Sequence, residues 1–506
     1  MQDKVTIRQL PTGVPGLDEI LGGGLPEFSF NIIAGAPGSG KTTLAHQIMF
    51  ANATPERPAI YFTVLGEPAI KMLRYQQQYE FFDQAKLNTA IRFINLSQVV
   101  LEKDLDAVLG EMVREVEAAN PALVLVDSFR TVVRKAQGAV GDVELQGFIQ
   151  RLALHLASWQ ATTFLIGEYV EGEIRDNPVF TVADGLLWLS QQTERNSVVR
   201  KLQVVKLRGQ GSVPGLHTVR ISEEGLQTFP RTFGLTGTGE KPKGLRRLST
   251  GIAKFDELMH GGIPEGDSLL MAGPSGSGKS IIATQFIATQ FIAEGIKQGE
   301  PGIVAIFEER PNQYVRRAKS FGFDFETPQK NGQLEIIYLR PLDLSVDETV
   351  HEIVAKVKKI GAKRLVIDSL AGFEMALAPD FRTDFRESLY RMIGALTRMG
   401  VTSISTVEIE DVFTAMNLSN FVISFLADDI VRLRYVSING QLRRMLLVVK
   451  MRGGAHSIDM NEYQVTDKGI VIGKPLRGYR GLITGIPGPW NAVSGQIQEP
   501  PVDSAT

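Results

Sequence analysis

The pattern G-x-x-x-x-G-K-[ST] occurs twice in this chain of 506 residues, each time after a short apolar run. The first copy is Gly35 to Thr42, with the sequence GAPGSGKT, and the second is Gly273 to Ser280, with the sequence GPSGSGKS. In this pattern small residues let backbone N–H groups surround a di- or triphosphate, while the lysine reaches the β- and γ-phosphates and the final hydroxyl can bind Mg²⁺. The helix that follows presents its positive end to the anion. Two such strand–loop–helix segments predict two sites for a nucleotide polyphosphate.

The residues predicted to bind nucleotide extend through each loop into the first turn of the next helix. They are Gly35, Ala36, Pro37, Gly38, Ser39, Gly40, Lys41, Thr42 and Thr43 in the first copy, and Gly273, Pro274, Ser275, Gly276, Ser277, Gly278, Lys279, Ser280 and Ile281 in the second. Lys41 and Lys279 are also predicted to act in catalysis, because their ammonium groups reach the phosphate that would be transferred.

The segment before each loop is repeated as well. It contains T-G, then D-E, then G-G-x-P-E, at residues 12–13, 18–19 and 23–27 and again at 250–251, 256–257 and 261–265. Each of these positions, like the loops, is shifted by 238 residues, so we predict two copies of one domain. The predicted boundaries are 1–233 for the first domain, 234–245 for a linker and 246–486 for the second domain. Residues 487–506 are rich in Pro, Gly and Ser and are predicted to be disordered.

Apolar strands alternate with helices in both copies, which predicts an α/β fold with a mostly parallel twisted sheet in each domain. The helices after the loops are predicted at 41–53 and 279–297. Strands are predicted at 59–64, 123–127, 162–166 and 201–207, and at 302–307, 364–368, 402–406 and 445–451. In the second helix the segment Ala283–Ile287 is repeated at once as Ala288–Ile292. Five residues turn a helix by about 500°, so this helix is expected to be apolar on two sides or to contain a bulge.

One predicted strand in each copy ends in an aspartate. Asp127 follows four apolar residues and Asp368 follows three, which is typical of a buried parallel strand that delivers a carboxylate to its C-terminal edge. An aspartate that merely caps the next turn is the alternative. We favour a role in holding Mg²⁺, together with the loop hydroxyls of Thr42 and Ser280.

The two copies differ after the strand that follows the loop helix. Glu308 and Glu309 come directly after this strand in the second copy and are candidates for a general base and, for Glu309, a metal ligand. Counted back from the shared proline, Leu65 and Gly66 occupy these places in the first copy, and Glu67 comes one residue late. The second copy is therefore predicted to be better equipped for chemistry, and the first chiefly to bind nucleotide.

Both copies also contain a K-x-R-G segment at the end of a predicted strand. Lys206 and Arg208 in the first copy, and Lys450 and Arg452 in the second, point to the same face of a strand and can form a two-pronged cationic tip. We expect such a tip to reach a neighbouring subunit's γ-phosphate, as an arginine finger does, rather than to fold back on its own loop. Ordinary surface charge is the alternative.

Composition excludes several classes of protein. The chain has no cysteine, so disulfides and Cys-based zinc sites are excluded, and its six histidines show no metal-binding spacing. The formal net charge of −2 gives no general attraction to nucleic acid or to anionic membranes, and no apolar run is long enough to span a bilayer. The N-terminus lacks an apolar signal segment, so we expect a cytoplasmic protein without a membrane or nucleic-acid partner.

Taken together, these motifs resemble the KaiC family of RecA-like double-domain ATPases. The resemblance depends on the T-G segments, both phosphate loops, F-E-E-x-P at Phe307–Pro311, the V-D-S and I-D-S strand ends and both K-x-R-G segments, and it extends to about Gly485. It implies ATP and Mg²⁺ as cofactors and a homohexamer of two stacked rings with ATP at the subunit interfaces. It also implies that signalling proteins are partners and that the second domain is a Ser/Thr autokinase that uses the glutamate pair as its base.

The family's adjacent Ser-Thr phosphoacceptor pair aligns with Ser424 and Phe425, so one hydroxyl remains there, and Ser419 is a second candidate acceptor. Ser424 could equally be a buried strand serine. The leading interpretation is a hexameric ATPase and autokinase that serves as a signalling or timing switch. Two alternatives stay open, namely a nucleotide-gated scaffold without kinase activity and a RecA- or DnaB-like nucleic-acid motor.

Overall fold

The structure is a computed structural model. It describes residues 7–64, 69–102, 105–132, 142–174, 177–194, 197–231, 246–274, 279–339, 345–376, 385–409, 427–438, 440–466, 469–482 and 488–489. Internal contacts divide the chain into two compact units, residues 1–232 and 233–506. The predicted linker at 234–245 lies outside the described residues, so its boundaries stay a prediction.

Within the described part of the first unit, nine strands form one sheet, and a two-stranded ribbon precedes it. The order in the sheet is β11-β10-β9-β8-β3-β7-β6-β4-β5. The six strands from β8 to β5 are parallel, and β9, β10 and β11 add to them as antiparallel strands. The strands are β1 (Gln9–Leu10), β2 (Leu25–Pro26), β3 (Phe30–Gly35), β4 (Ala59–Thr63), β5 (Ile91–Asn95), β6 (Leu123–Asp127), β7 (Thr162–Glu168), β8 (Gly185–Glu194), β9 (Ser197–Leu207), β10 (His217–Ser222) and β11 (Gly225–Phe229).

Helices cover both faces of this sheet, because its parallel strands are apolar on both sides and must be shielded from water. The helices are α1 (Leu17–Leu21), α2 (Lys41–Asn52), α3 (Ala69–Gln76), α4 (Ser97–Glu102), α5 (Leu105–Ala119), α6 (Asp142–Ser158) and α7 (Pro178–Val182), with short 3₁₀ segments at Gln84–Lys86 and Glu171–Ile174.

The second unit repeats this topology. Its described strands form a nine-stranded sheet in the order β16-β15-β17-β18-β14-β19-β20-β21-β22, flanked by two short ribbons. The strands are β12 (Arg247–Leu248), β13 (Ile263–Pro264), β14 (Ser268–Pro274), β15 (Gly302–Ile306), β16 (Leu334–Tyr338), β17 (Arg364–Asp368), β18 (Thr402–Ile409), β19 (Asp429–Ile438), β20 (Gln441–Met451), β21 (Asn461–Thr466), β22 (Gly469–Pro475), β23 (Tyr479–Arg480) and β24 (Gly488–Pro489). The helices are α8 (Ala253–Leu258), α9 (Lys279–Lys297), α10 (Pro311–Ser320), α11 (Glu326–Lys330), α12 (Val346–Ile360), α13 (Leu370–Ala376) and α14 (Phe385–Arg398).

The predicted fold class is confirmed, since each unit is a mostly parallel sheet flanked by helices. The sequence prediction missed strands β5, β8, β10 and β11 and their counterparts β16, β19, β21 and β22, whose apolar runs are interrupted by polar residues. Gly488–Pro489, which belong to the tail predicted to be disordered, pair with Tyr479–Arg480. No helix among the described residues is long and apolar enough to cross a membrane.

The repeated T-G segments have the same structural role in both units. Thr12 donates its backbone N–H and its hydroxyl to Asp18 Oδ1, at 2.8 and 2.7 Å. Thr250 bonds Asp256 Oδ1 in the same way, at 2.9 and 2.6 Å. These bonds tie the chain before each loop to the first short helix, which explains why the two residue types recur at one spacing.

The internal repeat of residues 283–292 lies in the middle of α9, which is one continuous α-helix. Phe286 packs against Phe321, at 5.2 Å between ring centroids, while Phe291 lies under the guanidinium of the buried Arg364. Both copies of the repeated segment are therefore buried, on different sides of the helix. Of the two sequence expectations, the helix that is apolar on two sides is the one observed.

Candidate functional site

The first phosphate loop connects β3 to α2 at the C-terminal edge of the parallel strands. Gly35 has φ +145°, and a Cβ there would come within 1.8 Å of the carbonyl oxygen of Leu189, so the loop requires glycine where it leaves the strand. Gly40 has φ +101° and is the N-cap of α2. The loop thus turns into the helix with backbone N–H groups available for an anion.

The two polar residues that begin α2 bond to groups at the same edge of the sheet. Lys41 is 7% exposed, and its Nζ donates to the carbonyl oxygen of Ala36 at 2.7 Å. Thr42 Oγ1 donates to Asp127 Oδ2 at 2.8 Å, although β7 lies between β3, which precedes the loop, and β6, which carries Asp127. The same carboxylate oxygen accepts a 2.8 Å hydrogen bond from the hydroxyl of Tyr61 on β4.

Burial raises the pKa of Asp127, while the hydrogen bonds from Thr42 and Tyr61 and the charge of Lys41 oppose this rise. Burial lowers the pKa of Lys41, and the nearby charges of Glu168 and Asp127 counteract it. The loop lysine and the strand aspartate therefore support each other's charged forms in a water-poor site.

A cavity of about 660 Å³ opens over this loop. Its walls combine the loop and the ends of three parallel strands with side chains from α3 and the antiparallel strands. The lining residues are Gly38, Gly40, Lys41, Thr42, Thr43, Tyr61, Thr63, Met72, Tyr79, Asp127, Ser128, Arg130, Thr131, Gly167, Glu168, Arg200 and Ile221. A space of this size, with a phosphate loop on one side and aromatic and apolar residues on another, suits a nucleotide.

Arg130 forms part of the wall of this cavity and is held rigidly. Its guanidinium makes two 2.7 Å bonds to the carboxylate of Glu173, lies 5.1 Å from the centroid of the Tyr169 ring, and also donates to the carbonyl oxygen of Glu168. Sequence reasoning did not single out Arg130. Its signal, a cation three residues after the strand aspartate, occurs in the first copy alone.

The second phosphate loop is described in part. Gly273 and Pro274 end β14, whereas Ser275, Gly276, Ser277 and Gly278 lie outside the described residues. Lys279, Ser280 and Ile281 form the first turn of α9, and their side chains are outside the description. The backbone thus follows the predicted strand and helix on either side of the loop.

Glu308 and Glu309 line one cavity of about 160 Å³ together with Gly273 and Asp368. Glu308 Oε1 accepts a 2.9 Å hydrogen bond from the hydroxyl of Ser369. Glu309 forms an ion pair with Arg317, at 2.6 Å from Oε1 to Nη2. The two adjacent glutamates thus differ in their partners, since Glu308 is bonded to a neutral hydroxyl and Glu309 to a cation.

The same Arg317 nitrogen also contacts Asp368 Oδ2 at 3.2 Å, and Thr406 Oγ1 donates to Asp368 Oδ1 at 2.8 Å. Burial raises the pKa of Glu309, and Arg317 opposes this rise while Asp368 and Glu308 add to it. Glu309 and Asp368 therefore share one guanidinium, in a cavity that Glu308 and Glu408 also line. Arg317 was not identified from the sequence, where it is one basic residue among several on a polar helix.

Sequence reasoning also missed one carboxylate in each unit. Glu168 pairs across the sheet with Gly35, and Glu408 pairs with Gly273, so each lies opposite the first glycine of its phosphate loop. The predicted strands ended too early, at residues 166 and 406, whereas β7 continues to Glu168 and β18 to Ile409. A glutamate two residues past the predicted strand end in both copies was the signal that could have found them.

In the single chain, both K-x-R tips contact their own domain, and their action on a neighbouring subunit stays a prediction. Lys206 Nζ donates to the carbonyl oxygen of Thr181 at 2.9 Å, and Arg208 forms a 3.3 Å ion pair with Asp184. Lys450 Nζ likewise donates to the carbonyl oxygen of Ala427 at 2.7 Å, and Arg452 lies 3.8 Å from Asp428. Each tip ends an antiparallel strand beside the start of its neighbour, where carbonyl and carboxylate oxygens are within reach.

Other predicted residues fall in segments outside the description. Leu65, Gly66 and Glu67, which stand where the second copy has its glutamate pair, belong to one such segment. The candidate acceptors Ser419 and Ser424 belong to another. Their predicted roles stay predictions.

The chemistry of the first site fits Mg²⁺. Thr42 Oγ1 and Asp127 Oδ2 are hard oxygen donors 2.8 Å apart beside the phosphate loop. No group of three or more histidine or carboxylate side chains in the described parts of the chain is arranged to hold a metal by itself.

Comparison with known proteins agrees with this geometry. The model of the KaiC ATPase family matches residues 10–232 and 248–477, which are the two repeated units. The circadian clock oscillator protein KaiC of Thermostichus vulcanus is 27% identical over 497 residues, which cover 96% of this chain and 93% of that protein. The circadian clock protein KaiC3 of Synechocystis sp. is 26% identical over 501 residues, which cover 96% of each chain.

Proposed function

Because the chain belongs to the KaiC family of ATPases, we propose that it binds Mg²⁺·ATP in both units and hydrolyses it chiefly in the second. The observation that carries this proposal is the position of Glu308 and Glu309, which line one cavity with Asp368 and the first loop glycine, Gly273. In the first unit Lys41, Thr42 and Asp127 line a large cavity, but Leu65 and Gly66 stand where the second unit has the glutamate pair.

Glu308 is the better candidate for the base. Its carboxylate is bonded to the neutral hydroxyl of Ser369, whereas the carboxylate of Glu309 is already engaged in an ion pair with Arg317. In the proposed step Glu308 accepts a proton from water as the water oxygen bonds to the γ-phosphorus. The bond from that phosphorus to the ADP oxygen breaks, which yields ADP and phosphate.

Lys279 would neutralise the oxygens of the transferred phosphoryl group, as Lys41 would in the first unit. Mg²⁺ would be held in the second site by Ser280 and Asp368, together with Glu309. In the first site it would be held by Thr42 and Asp127. When bound, Mg²⁺ neutralises charge on the β- and γ-phosphates.

The test is phosphate release by the full chain with Glu308→Gln, Glu309→Gln and both together. We expect Glu308→Gln to lower turnover by roughly 10²- to 10⁴-fold, the range for loss of a general base, while ATP binding stays intact. Glu326→Gln removes an exposed glutamate from a neighbouring helix and serves as the matched control. Unchanged turnover in the double variant would contradict the assignment.

We also propose a homohexamer of two stacked rings in the cytoplasm, with Lys206 and Arg208, and Lys450 and Arg452, acting on a neighbour's nucleotide. Arg208 and Arg452 are 58% and 56% exposed in the single chain, which leaves room for a second partner beyond their own-domain contacts. Light scattering with and without a non-hydrolysable ATP analogue tests the assembly. Turnover in mixtures of Arg452→Ala and Glu308→Gln chains tests action between subunits. A site that has Glu308 from one chain would regain Arg452 from its neighbour, so the mixture should be more active than either variant alone.

A second proposed activity is autophosphorylation of Ser424 or Ser419, which the family resemblance favours and in which a serine hydroxyl replaces water as the attacking group. Intact-mass spectrometry after incubation with Mg²⁺·ATP, with peptide mapping of residues 417–432, tests it. An added phosphate that is absent from the Glu308→Gln variant would support kinase chemistry. ADP release without a phosphorylated peptide would leave an ATPase whose nucleotide state is itself the signal to partner proteins.

A further inference from the structure

The two strand aspartates occupy the same place in their sheets but have different hydrogen-bond donors. Asp127 pairs in the β-ladder with Thr63, and Asp368 pairs with Ile306. Two residues earlier on the same strands, Tyr61 in the first unit corresponds to Val304 in the second. The neutral phenol that bonds Asp127 Oδ2 thus has no counterpart at that position in the second unit.

In the second unit the corresponding hydrogen-bond donor to the strand aspartate is Arg317. It lies on α10, eleven residues after Ile306, and its guanidinium reaches Asp368 Oδ2. The residue at the same distance from Thr63 in the first unit is Arg74 on α3, which is exposed. Equivalent helices therefore carry an arginine at the same position, and only in the second unit does it lie over the site.

The position of Arg317 is well defined by its surroundings. Its side chain is 18% exposed, and its guanidinium lies 4.6 Å from the centroid of the Tyr314 ring. Tyr314 is fully buried and is held in turn by a 3.3 Å hydrogen bond to Thr289 on α9. A guanidinium held between an aromatic face and two carboxylates is a strong local cation.

We propose that Arg317 competes with Mg²⁺ for Asp368 and keeps Glu309 paired, so that Mg²⁺·ATP occupies the second site only by displacing it. A Mg²⁺ ion bound to Asp368 Oδ2 would lie close to the guanidinium of Arg317, which is 3.2 Å from that oxygen, and the two cations would repel each other. Among the described residues of the first unit, a phenol and a threonine hydroxyl bond to Asp127, and no guanidinium does. The second site should therefore need a higher Mg²⁺ concentration than the first.

This inference rests on the proposed assignment of Asp127 and Asp368 to the two Mg²⁺ sites. Mn²⁺ binding to the full chain, followed by electron paramagnetic resonance with ADP present, measures both sites without any turnover. Asp127→Asn should remove the tighter class of bound Mn²⁺, and Asp368→Asn the weaker. If Asp368→Asn removes no Mn²⁺, the site assignment fails, whatever Arg317 does.

Arg317→Gln is the decisive variant, because it keeps a polar side chain of similar reach without the charge. We expect it to tighten Mn²⁺ binding by the class that depends on Asp368, on the order of tenfold, and to leave the other class unchanged. Arg316→Gln removes the exposed arginine beside it and should change neither class. Unchanged or weaker Mn²⁺ binding in a folded Arg317→Gln protein would overturn the proposal.

Arg317→Lys covers the case in which the glutamine variant does not fold. A lysine ammonium is a point charge that cannot bridge both carboxylates as the planar guanidinium does. Binding of Mn²⁺ should then be intermediate between the wild-type protein and the uncharged variant. Affinity identical to that of the wild-type protein would contradict the role of the bridging guanidinium.

Discussion

Asp127 and Asp368 end equivalent strands of two sheets with the same strand order, yet their surroundings differ in charge. Asp127 accepts hydrogen bonds from two neutral hydroxyls, those of Thr42 and Tyr61. Asp368 accepts one from Thr406 and one from the cation Arg317. The sheet determines where a carboxylate is delivered, while side chains from other elements determine which cation it can accept.

The glutamates at these sites extend the comparison. Glu308 and Glu309 enter the second site directly after β15, whereas Glu168 and Glu408 enter their sites from the strand beside the phosphate loop in both units. The second site therefore concentrates more negative charge, which a general base requires and which Arg317 partly neutralises. Among the described residues, the first cavity is lined by fewer carboxylates and is larger, an arrangement suited to holding nucleotide.

The largest expected difference between the units is in turnover. Lys279→Met should lower steady-state phosphate release by roughly 100-fold, because one donor to the transferred phosphoryl group is lost where the glutamate pair acts. Lys41→Met should remove one bound nucleotide per chain and change phosphate release much less. Equilibrium binding of a fluorescent ATP analogue and a phosphate-release assay on both variants measure this. A larger loss of phosphate release in Lys41→Met than in Lys279→Met would contradict the proposal that the second unit carries most of the hydrolysis.

Acid should destabilise the first unit through a residue that the second lacks. His46 on α2 is fully buried, 4.6 Å from Tyr61 between ring centroids, and burial lowers its pKa from its ordinary value of 6.5 to about 4. The unfolded chain thus binds a proton that the folded chain excludes, so stability falls as pH drops from 6.5 to about 4, by up to about 3 kcal/mol. Thr284 is the equivalent residue on α9 and does not titrate.

Hydrogen exchange at pH 7 and pH 4.5 separates the two units. The His46→Phe variant keeps an aromatic ring and should lose this component of acid sensitivity in the first unit alone. His260→Asn replaces an exposed histidine and should behave as the wild-type protein does. Equal acid sensitivity of the wild-type protein and His46→Phe would show that His46 does not contribute.

Tyr61→Phe should have a smaller effect on stability at neutral pH. It removes the neutral donor to Asp127, and loss of a buried hydrogen bond to a carboxylate costs about 1–2 kcal/mol. Urea unfolding measures the loss, and Tyr75→Phe, which changes an exposed tyrosine, is the control. A loss no greater than that of the control would mean that Thr42 alone holds the carboxylate.

The smallest expected effect is on nucleotide affinity. Glu168 lies opposite the first loop glycine and beside Lys41, so its charge repels a polyphosphate. Glu168→Gln should tighten ATP binding to the first unit a few-fold, and Glu408→Gln should do the same in the second. Isothermal titration calorimetry measures both, with the exposed Glu171→Gln as the control. Weaker binding would instead indicate that Glu168 orients the loop lysine.

Much of the fold could be predicted from the chain alone. The duplication, both phosphate loops and the two strand aspartates were recognisable because each is a contiguous segment with a characteristic spacing. Strand ends were predicted less well, since β7 and β18 continue past their predicted ends at residues 166 and 406 to Glu168 and Ile409. Pairing with the loop strand β3 or β14, rather than local hydrophobicity, decides where they end.

The sequence by itself determined which segments form the two phosphate loops and which strands deliver the two aspartates. Only the tertiary structure decided the partners of each carboxylate. Tyr61 and Asp127 are 66 residues apart, and Arg317 and Asp368 are 51 apart, so no local pattern links them. Arg74 and Arg317 illustrate the reason, because they occupy equivalent helix positions and only packing of the helix against the sheet places the second over an aspartate. Hydrogen bonds and ion pairs depend on distances of a few ångströms, which parallel strands and their crossover helices set after the chain has folded.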